Sequence, residues 1–389
     1  MPGVISPARR SDLDWLRVGA LGLLILTHVT YIYRTTGWRV HSEHAGLWGD
    51  LIVETLAPWR MSLVFFIGGA ATRFMLASRD LPTFAVNRFL RLGVPFLMAV
   101  VILLPPMWYM TDPLARGSSY IAYVAHTPLH AHTVFGFHLP DLGHVWFLAY
   151  LLAYALAAGL TWRLAAPSWM RIEASLGRLP IAALAVGLAA LFVISDAVLK
   201  PAFGRTDMFL DDPAGHLRAL PPFLLGLMLA RSESFWHRLQ SARSWLTPMA
   251  VALMLVAVSI AASDTLSAHK LPAWQTGLVD GLYGAAALLA ILGWASTRLN
   301  HDSPQLRYLS DAIMPVYLLH QPIVVAAGLA AERAHLPLLL EYLLVILATL
   351  LIPLAIYHVF IRQVGPLRIV FGLKMNPGKV RPARLAHKF

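Results

Sequence analysis

The sequence predicts an all-α polytopic membrane protein, a helix bundle with about ten transmembrane helices and both termini in the cytoplasm. Of the 389 residues, 58% are hydrophobic and only 13% are charged, and the mean hydropathy is +0.63. Soluble domains usually carry about 25% charged residues. Because a membrane-spanning helix needs about 20 apolar residues, ten spans with short loops fill almost the whole chain.

Apolar stretches separated by basic or proline-containing segments give the limits of the spans. The first span follows Arg9 and Arg10 like a signal sequence, but it lacks a small-residue cleavage site, so we expect an uncleaved helix. Prolines such as Pro82 and Pro167 mark boundaries between spans. The predicted spans are residues 15–34, 55–77, 88–110, 143–163, 180–199, 216–231, 245–262, 276–296, 308–330 and 337–361. The sixth and seventh are the least regular, since they are short or are bounded by prolines.

The distribution of basic residues sets the orientation. With the N-terminus in the cytoplasm, 22 of the 31 Lys and Arg residues fall in cytoplasmic segments, which favours an even number of spans. This topology explains the net charge of +11 better than a nucleic-acid partner does. We therefore expect one transmembrane domain over residues 1–365, embedded in a lipid bilayer, and a basic cytoplasmic tail over residues 366–389. The longest outer segment, residues 110–142, is expected to form a lid or a partly re-entrant structure.

Two histidines inside spans are the main candidates for catalysis. Arg17 and His28 lie eleven residues apart in the first span, which is about 16 Å along a helix and nearly the same face. A neutral imidazole can remove a proton from a hydroxyl group. His320 in the ninth span is expected at a similar depth, so the two histidines could share a cavity. The alternative is that they are core histidines bonded to neighbouring helices, and for Tyr317 and Gln321 we prefer such a helix-tying network.

Arginines at the cytoplasmic ends of spans are candidates for binding phosphate. Arg88 and Arg91 are three residues apart, a spacing that places both guanidinium groups on one helical face. Arginine binds phosphate through its fork of N–H donors and its permanent charge. Positive-inside topology alone also predicts arginines here. Arg73, next to the apolar Phe74 in the second span, is harder to explain in that way.

Polar residues near the outer ends of spans are candidates for binding a second substrate. Glu54 could orient a histidine or bind sugar hydroxyls, or it could be an interfacial carboxylate paired with Arg60. The Gly68-Gly69 step allows close helix approach or leaves room for a ligand. His144 and Trp146 are typical of an interfacial aromatic anchor that faces an outer cavity.

A metal site is not predicted. The chain has no cysteine, which excludes disulfides, thiolate zinc sites and an acyl-cysteine intermediate. The spacing of His126 and His130 fits zinc on a helix, but Asp141 is the only nearby carboxylate. The remaining histidines of this outer segment are His132, His138 and His144.

Together these motifs resemble the acyltransferase 3 family of integral membrane acyltransferases. The family is marked by Arg-x10-His in its first helix, matched by Arg17 and His28, and by Arg-x-x-Arg at the third, matched by Arg88 and Arg91. Local similarity continues over residues 13–17, 59–66, 146–148 and 317–322. The stretches over residues 59–66 and 317–322 are most similar to the branch that succinylates osmoregulated periplasmic glucans.

The resemblance implies a membrane O-acyltransferase in the bacterial inner membrane, with cytoplasmic acyl-CoA as co-substrate and no permanently bound cofactor. The acyl group is succinyl or acetyl, and the acceptor is a hydroxyl of a periplasmic glycan. His28 and His320 are then the expected catalytic residues. The expected acyl-CoA contacts are Arg17, Arg73, Arg88 and Arg91. The expected acceptor contacts are Glu54, Arg60, His144, Trp146 and Tyr317.

The alternative function is a transporter or flippase for a glycan or a lipid-linked sugar. A histidine-lined path across ten helices would also suit transport, but the internal repeats that many transporters show are absent from the sequence. A purely structural scaffold does not explain Arg17, His28 and His320 at bilayer depth. The sequence leaves the oligomeric state open.

Overall fold

The described chain is almost entirely helical, which confirms the predicted fold class. The structure is a computed structural model that describes residues 10–115, 117–126, 132–134, 137–266 and 270–375. In chain order the elements are α1 Ser11–Tyr33, α2 Leu47–Leu76, α3 Leu81–Thr111, α4 Tyr120–His126, β1 His132–Val134, β2 Phe137–Leu139, α5 Gly143–Leu176, α6 Ile181–Phe203, α7 Pro213–Leu229, α8 Glu233–Leu266, α9 Ala273–Arg298, α10 Pro304–Ala334, α11 Leu338–Ile361 and α12 Gly365–Val370. The two strands form a short antiparallel hairpin.

Ten of the described helices cross the bundle. Nine are long and apolar enough to span a membrane. The tenth, α7, has 17 residues and is about 25 Å long. Asp212, at its start, accepts a hydrogen bond from Tyr150 near the outer start of α5. Ala230, just past its end, accepts one from Arg10 at the cytoplasmic start of α1. Since α7 therefore runs from the outer to the cytoplasmic side, the number of crossings in the described chain is even.

Several helices are longer than the apolar pattern indicated. α2 begins at Leu47 and α8 at Glu233, eight and twelve residues before the predicted limits. Hydropathy detects only the part of a helix that lies in hydrocarbon, while its polar ends continue in helical conformation. The boundary predicted at Pro167 is present, because the helical run of α5 is interrupted at Ala165, whose φ of −135° and ψ of 36° are not helical. A second helical segment then continues to Leu176.

Glycines bring α2 and α7 into backbone contact. A Cβ atom added at Gly69 would overlap the carbonyl group of Phe223, and one added at Gly226 would overlap that of Phe66. Gly68 in turn makes room for the side chain of Leu151. Of the two roles that the sequence left open for the Gly68-Gly69 step, the structure therefore shows close helix approach.

The outer segment between α3 and α5 contains α4 and the hairpin. It is tied to the loop after α1 by an ion pair of 3.6 Å between Asp141 and Arg39. That loop carries Trp38, whose ring centroid lies 6.4 Å from that of His28. The loop and the outer segment thus lie at the outer end of α1, which is the end nearer to His28. Most of the predicted basic tail, residues 376–389, falls outside the described residues.

Candidate active site

The two predicted catalytic histidines are in contact. The ring centroids of His28 on α1 and His320 on α10 lie 5.0 Å apart, with the rings edge to face. His144, at the start of α5, continues the row with its centroid 5.2 Å from that of His320. His28 is nearer the outer end of α1 than the sequence indicated, only five residues before Tyr33. It meets His320, which lies mid-way along α10, because α1 packs along α10.

Backbone carbonyl groups set the tautomer of all three rings. A carbonyl oxygen can only accept, so the ring nitrogen bonded to it carries the proton, and the other nitrogen of the neutral ring has a lone pair. The bonds are His28 Nδ1 to Leu24 O, 2.9 Å, His320 Nδ1 to Tyr317 O, 2.5 Å, and His144 Nε2 to Leu318 O, 3.2 Å. The Nε2 atom of the partly exposed His28 is thus the one that can accept a proton. Nε2 of His320 and Nδ1 of His144 are buried with no hydrogen-bond partner among the described residues.

Arg60 is buried beside these histidines. It lies in the middle of α2 with 5% of its surface exposed, not at the outer end of the span, since α2 starts earlier than predicted. Its charge acts on both His28 and His320, and its guanidinium group lies against the Tyr31 phenol. Within the described chain, Nε and Nη1 of Arg60 have no hydrogen-bond partner. Two buried N–H donors are therefore available to a ligand next to the imidazoles.

Tyr317 ties the histidine row together. Its hydroxyl donates a hydrogen bond of 2.6 Å to the carbonyl oxygen of His144, linking α10 to α5. The neighbouring Gln321 is also buried, and its Oε1 has no partner in the described structure. The helix-tying role preferred for Tyr317 is therefore present, and the donor capacity of this hydroxyl is already used.

On the outer side, a polar cavity of about 220 Å³ is lined mainly by α2, α6 and α7, and none of the three histidines lines it. Tyr31 forms part of its wall and also contacts His28, with ring centroids 5.5 Å apart. Glu54 and Trp146 both line the cavity, as expected for acceptor-binding residues. Glu54 pairs with Arg34 at 3.4 Å, so the predicted pairing with Arg60 is wrong. His144 is turned away from the cavity toward His320.

Three arginines meet at the cytoplasmic side. Arg88 is buried in the bundle, donates a hydrogen bond of 2.8 Å to Thr72, and is close enough to interact electrostatically with Arg17 and Arg91. Arg91 lies in a π-helical turn, Phe89–Gly93, and is exposed. The two guanidinium groups are therefore close together, although only one of them is buried. Such a concentration of positive charge is suited to a polyphosphate.

Arg73 contacts other residues than this cluster does. Its Nη2 atom is 3.0 Å from a carboxylate oxygen of Glu173, and its guanidinium group lies 4.4 Å from the centroid of the Trp162 ring. It therefore joins α2 to the cytoplasmic end of α5, and its charge is already compensated.

Comparison with known proteins identifies the family. A family model described as an acyltransferase domain matches residues 10–358, nearly the whole chain. The chain belongs to the acyltransferase 3 family. This acyltransferase is a multi-pass membrane enzyme that transfers acyl groups.

Curated relatives of this acyltransferase include the glucans biosynthesis protein C of Salmonella agona (strain SL483) and that of Salmonella schwarzengrund (strain CVM19633). Each is 23% identical over 381 residues, covering 93% of this chain and 94% of the relative. No solved structure matches the acyltransferase.

Sequence reasoning missed six charged residues of the outer cavity. They are Arg34, Asp196, Lys200, Arg205, Arg218 and Asp280. The sequence did contain a sign of these residues, since an ionisable residue within or at the end of an apolar span is a functional candidate by default.

The described residues contain no group of three or more His, Asp or Glu side chains placed to hold a metal ion. The side chains of His126, His130, His132 and His138 lie outside the described structure.

Proposed function

We propose that this enzyme is an O-acyltransferase of the bacterial inner membrane that uses cytoplasmic acyl-CoA and acylates a hydroxyl of a periplasmic glycan. The observation that carries the proposal is the position of His28. Its imidazole lies between a cytoplasmic arginine cluster and an outer polar cavity, so it can meet substrates that arrive from opposite sides.

The donor side of the proposal rests on Arg17, Arg88 and Arg91. The phosphates of CoA bind this cluster, and the pantetheine arm extends inward along α1. The arm has the length needed, since Arg17 and His28 are about 16 Å apart along the helix. Arg17 also has a carboxylate neighbour, Asp14 at 3.8 Å, but its side chain is 42% exposed and can turn to a ligand. The side chain of Arg73 is only 10% exposed and is held by Glu173 at 3.0 Å, so Arg73 is left out of the proposed contacts.

His28 acts as the general base. As the acceptor oxygen attacks the thioester carbonyl carbon, Nε2 of His28 takes the hydroxyl proton. Arg60 donates hydrogen bonds to the oxyanion that develops on the former carbonyl oxygen. Collapse of the tetrahedral intermediate breaks the carbon–sulfur bond, and the leaving thiolate takes the proton from His28. The products are an acyl ester and free CoA. A relay through an acyl group on Nε2 gives the same products in two steps.

The acceptor side rests on the outer cavity and on the relatives. Carboxylates beside Trp146 and Tyr31 suit a sugar, whose hydroxyl groups donate hydrogen bonds and whose ring has an apolar face. The relatives are named for glucan biosynthesis, so an osmoregulated glucan is the proposed acceptor.

The test is acyl transfer by the purified enzyme in nanodiscs. Succinyl-CoA and acetyl-CoA are offered separately, each with and without a periplasmic β-glucan, and both CoA release and acylated glucan are measured. We expect glucan-dependent CoA release that falls at least about 100-fold in His28→Ala, the contribution typical of a general base. The variant should bind CoA as the wild type does.

Three other outcomes have defined meanings. CoA release of one equivalent per enzyme without glucan supports the acyl-histidine relay. Transfer at the wild-type rate by His28→Ala contradicts the assignment of the base. Movement of glucan across a sealed membrane with no consumption of either donor overturns the proposal in favour of the transporter.

A further inference from the structure

Asp280 is a carboxylate without a partner in the outer cavity. It lies on α9, is only partly exposed, and makes neither a hydrogen bond nor an ion pair within 4 Å in the described part of the chain. Its charged neighbours include two more carboxylates, those of Glu54 and Asp196. Those two do have partners, since Glu54 pairs with Arg34, and Asp196 pairs with Arg218 at 3.3 Å.

Glycines on α9 bring Asp280 into this position. A Cβ atom added at Gly277 or Gly281 would overlap the α6 backbone, and one added at Gly284 would overlap the carbonyl oxygen of Pro58 on α2. Helix α9 therefore packs backbone to backbone against both α6 and α2. As a result the three carboxylates, each from a different helix, converge on one cavity.

The cations Arg218 and Lys200 are also near Asp280, but neither makes an ion pair with it in the described structure. A partly buried carboxylate without a direct partner is unfavourable unless hydrogen-bond donors reach it. The rings of Trp146 and Tyr31 also line the cavity beside these acceptors. The guanidinium group of Arg205 lies 5.2 Å from the centroid of the Trp146 ring, so a sugar would contact the part of that ring that Arg205 leaves open. Cationic side chains, Arg34, Lys200, Arg205 and Arg218, also line the cavity, which disfavours a cationic ligand. A neutral molecule with several hydroxyl groups and an apolar ring face satisfies both the carboxylates and the aromatic rings.

A second observation concerns Arg60 and its position relative to His28, the proposed base. Arg60 is almost fully buried, and two of its N–H groups have no partner among the described residues. It lies against Tyr31, the residue shared by the cavity wall and the surroundings of His28. Tyr31 therefore connects the cavity to the surroundings of His28 and Arg60, although neither of these two residues lines the cavity itself.

We propose that Asp280 and Glu54 accept hydrogen bonds from hydroxyl groups of the acceptor sugar, and that Trp146 contacts the face of its ring. Asp280 is then a positioning residue, which selects the sugar hydroxyl that reaches His28. This inference rests on the proposed function, because it assigns the acceptor of that reaction to this cavity.

The test separates acceptor binding from donor binding. Asp280→Asn keeps the shape of the side chain but replaces an acceptor oxygen by a donor, and we expect KM for the β-glucan to rise about tenfold, the effect of one lost charge-assisted hydrogen bond. KM for acyl-CoA should stay the same. Glu332→Gln, an exposed carboxylate at the outer end of α10, is the matched control and should behave as the wild type.

Binding of a β-glucan oligosaccharide is also measured by calorimetry without any acyl-CoA. Asp280→Asn and Trp146→Ala should each weaken this binding, while CoA binding shows that the variants are folded. Unchanged glucan KM and unchanged oligosaccharide binding in Asp280→Asn overturn the inference, even if acyl transfer itself is confirmed. Weaker oligosaccharide binding in an enzyme that transfers no acyl group supports the sugar site and contradicts only the proposed function.

Discussion

At the scale of single residues, the site is defined by polar atoms that the fold leaves unused. One nitrogen of each of the three imidazoles is bonded to a backbone carbonyl, which fixes where the lone pair lies. Arg60 supplies buried N–H groups at the same place. Because burying unpaired polar atoms costs free energy, a site of this kind is expected where a ligand completes the hydrogen bonds.

Arg91 provides a test of the donor site. It is exposed and lies close to the buried Arg88, so Arg91→Gln removes a charge without disturbing the packing. We expect KM for acyl-CoA to rise about tenfold, the lower end of the effect of a lost charge-assisted hydrogen bond, while KM for the glucan is unchanged. Arg231→Gln, another exposed cytoplasmic arginine, is the control. An equal effect in both variants would show a general surface-charge effect and would contradict a specific phosphate site.

Tyr317 provides a test of the histidine row. Tyr317→Phe removes the hydrogen bond to the His144 carbonyl group, which is worth about 1 kcal/mol. We expect a lower melting temperature and a lower kcat with unchanged KM for acyl-CoA, measured by thermal unfolding in detergent and by steady-state kinetics. Tyr308→Phe, whose hydroxyl contacts His358 away from the site, is the control. Unchanged kcat and stability would show that the helix-tying bond has no role.

At the scale of secondary-structure elements, glycines decide how closely helices approach. Between membrane helices the hydrophobic effect contributes little, so association depends on close packing and on hydrogen bonds. The α2–α7 contact at Gly69 and Gly226 anchors the helix that carries Arg60. The α9 contacts at Gly277, Gly281 and Gly284 anchor the helix that carries Asp280.

Substitution of Gly69 tests this packing. Gly69→Ala forces α2 and α7 apart, because the added Cβ atom overlaps the carbonyl group of Phe223. We expect a destabilisation of about 1–3 kcal/mol, typical of overpacking, seen as a lower melting temperature. The control is Gly187→Ala on α6, where nothing lies within 4 Å of the added atom. Alanine is favoured over glycine in a helix, so this variant should be as stable as the wild type or more stable.

At the scale of the whole molecule, the two sides of the bundle are chemically different. The arginine cluster faces the side where basic residues concentrate, and the cavity with its mixed charges opens on the other side. An enzyme that joins substrates from two compartments needs this asymmetry, and also a reacting group that both can reach. Ten crossings place both ends of the described bundle on the same side, which is the donor side in the proposed function.

The topology can be tested with single cysteines, because the chain has none of its own. Ser119→Cys lies in the outer segment before α4, and Ser78→Cys lies in the exposed turn between α2 and α3. In intact spheroplasts, a membrane-impermeant maleimide should label Ser119→Cys only. Permeabilisation should add labelling of Ser78→Cys. The reverse pattern would invert the bundle and place the arginine cluster outside.

Residue types and their order were enough to establish the class of the protein and its main chemical groups. Apolar stretches of membrane length allow hardly any other fold. Basic residues in alternate segments between the spans favour one orientation of that fold in the membrane. Arg17, His28, Arg88 and Arg91 could be singled out because each pair lies within a single helix. For Arg88 and Arg91 the π-helical turn at Phe89–Gly93 changes the expected geometry, since only Arg88 is buried. The shared level predicted for His28 and His320 also corresponds to the observed contact.

The contacts between helices, by contrast, became known from the folded structure, and the rest of the site depends on those contacts. The depth of Arg60 depended on where α2 begins. Hydropathy did not show that the helix begins at Leu47, because Asp50 and Glu54 lower the hydropathy of its first two turns. Arg60 was one partner considered for Glu54 because the two are close in sequence, whereas the observed partner, Arg34, comes from the end of another helix. Asp280 was missed because its neighbours lie on α2 and α6, and contacts between distant segments depend on helix packing rather than on any local pattern.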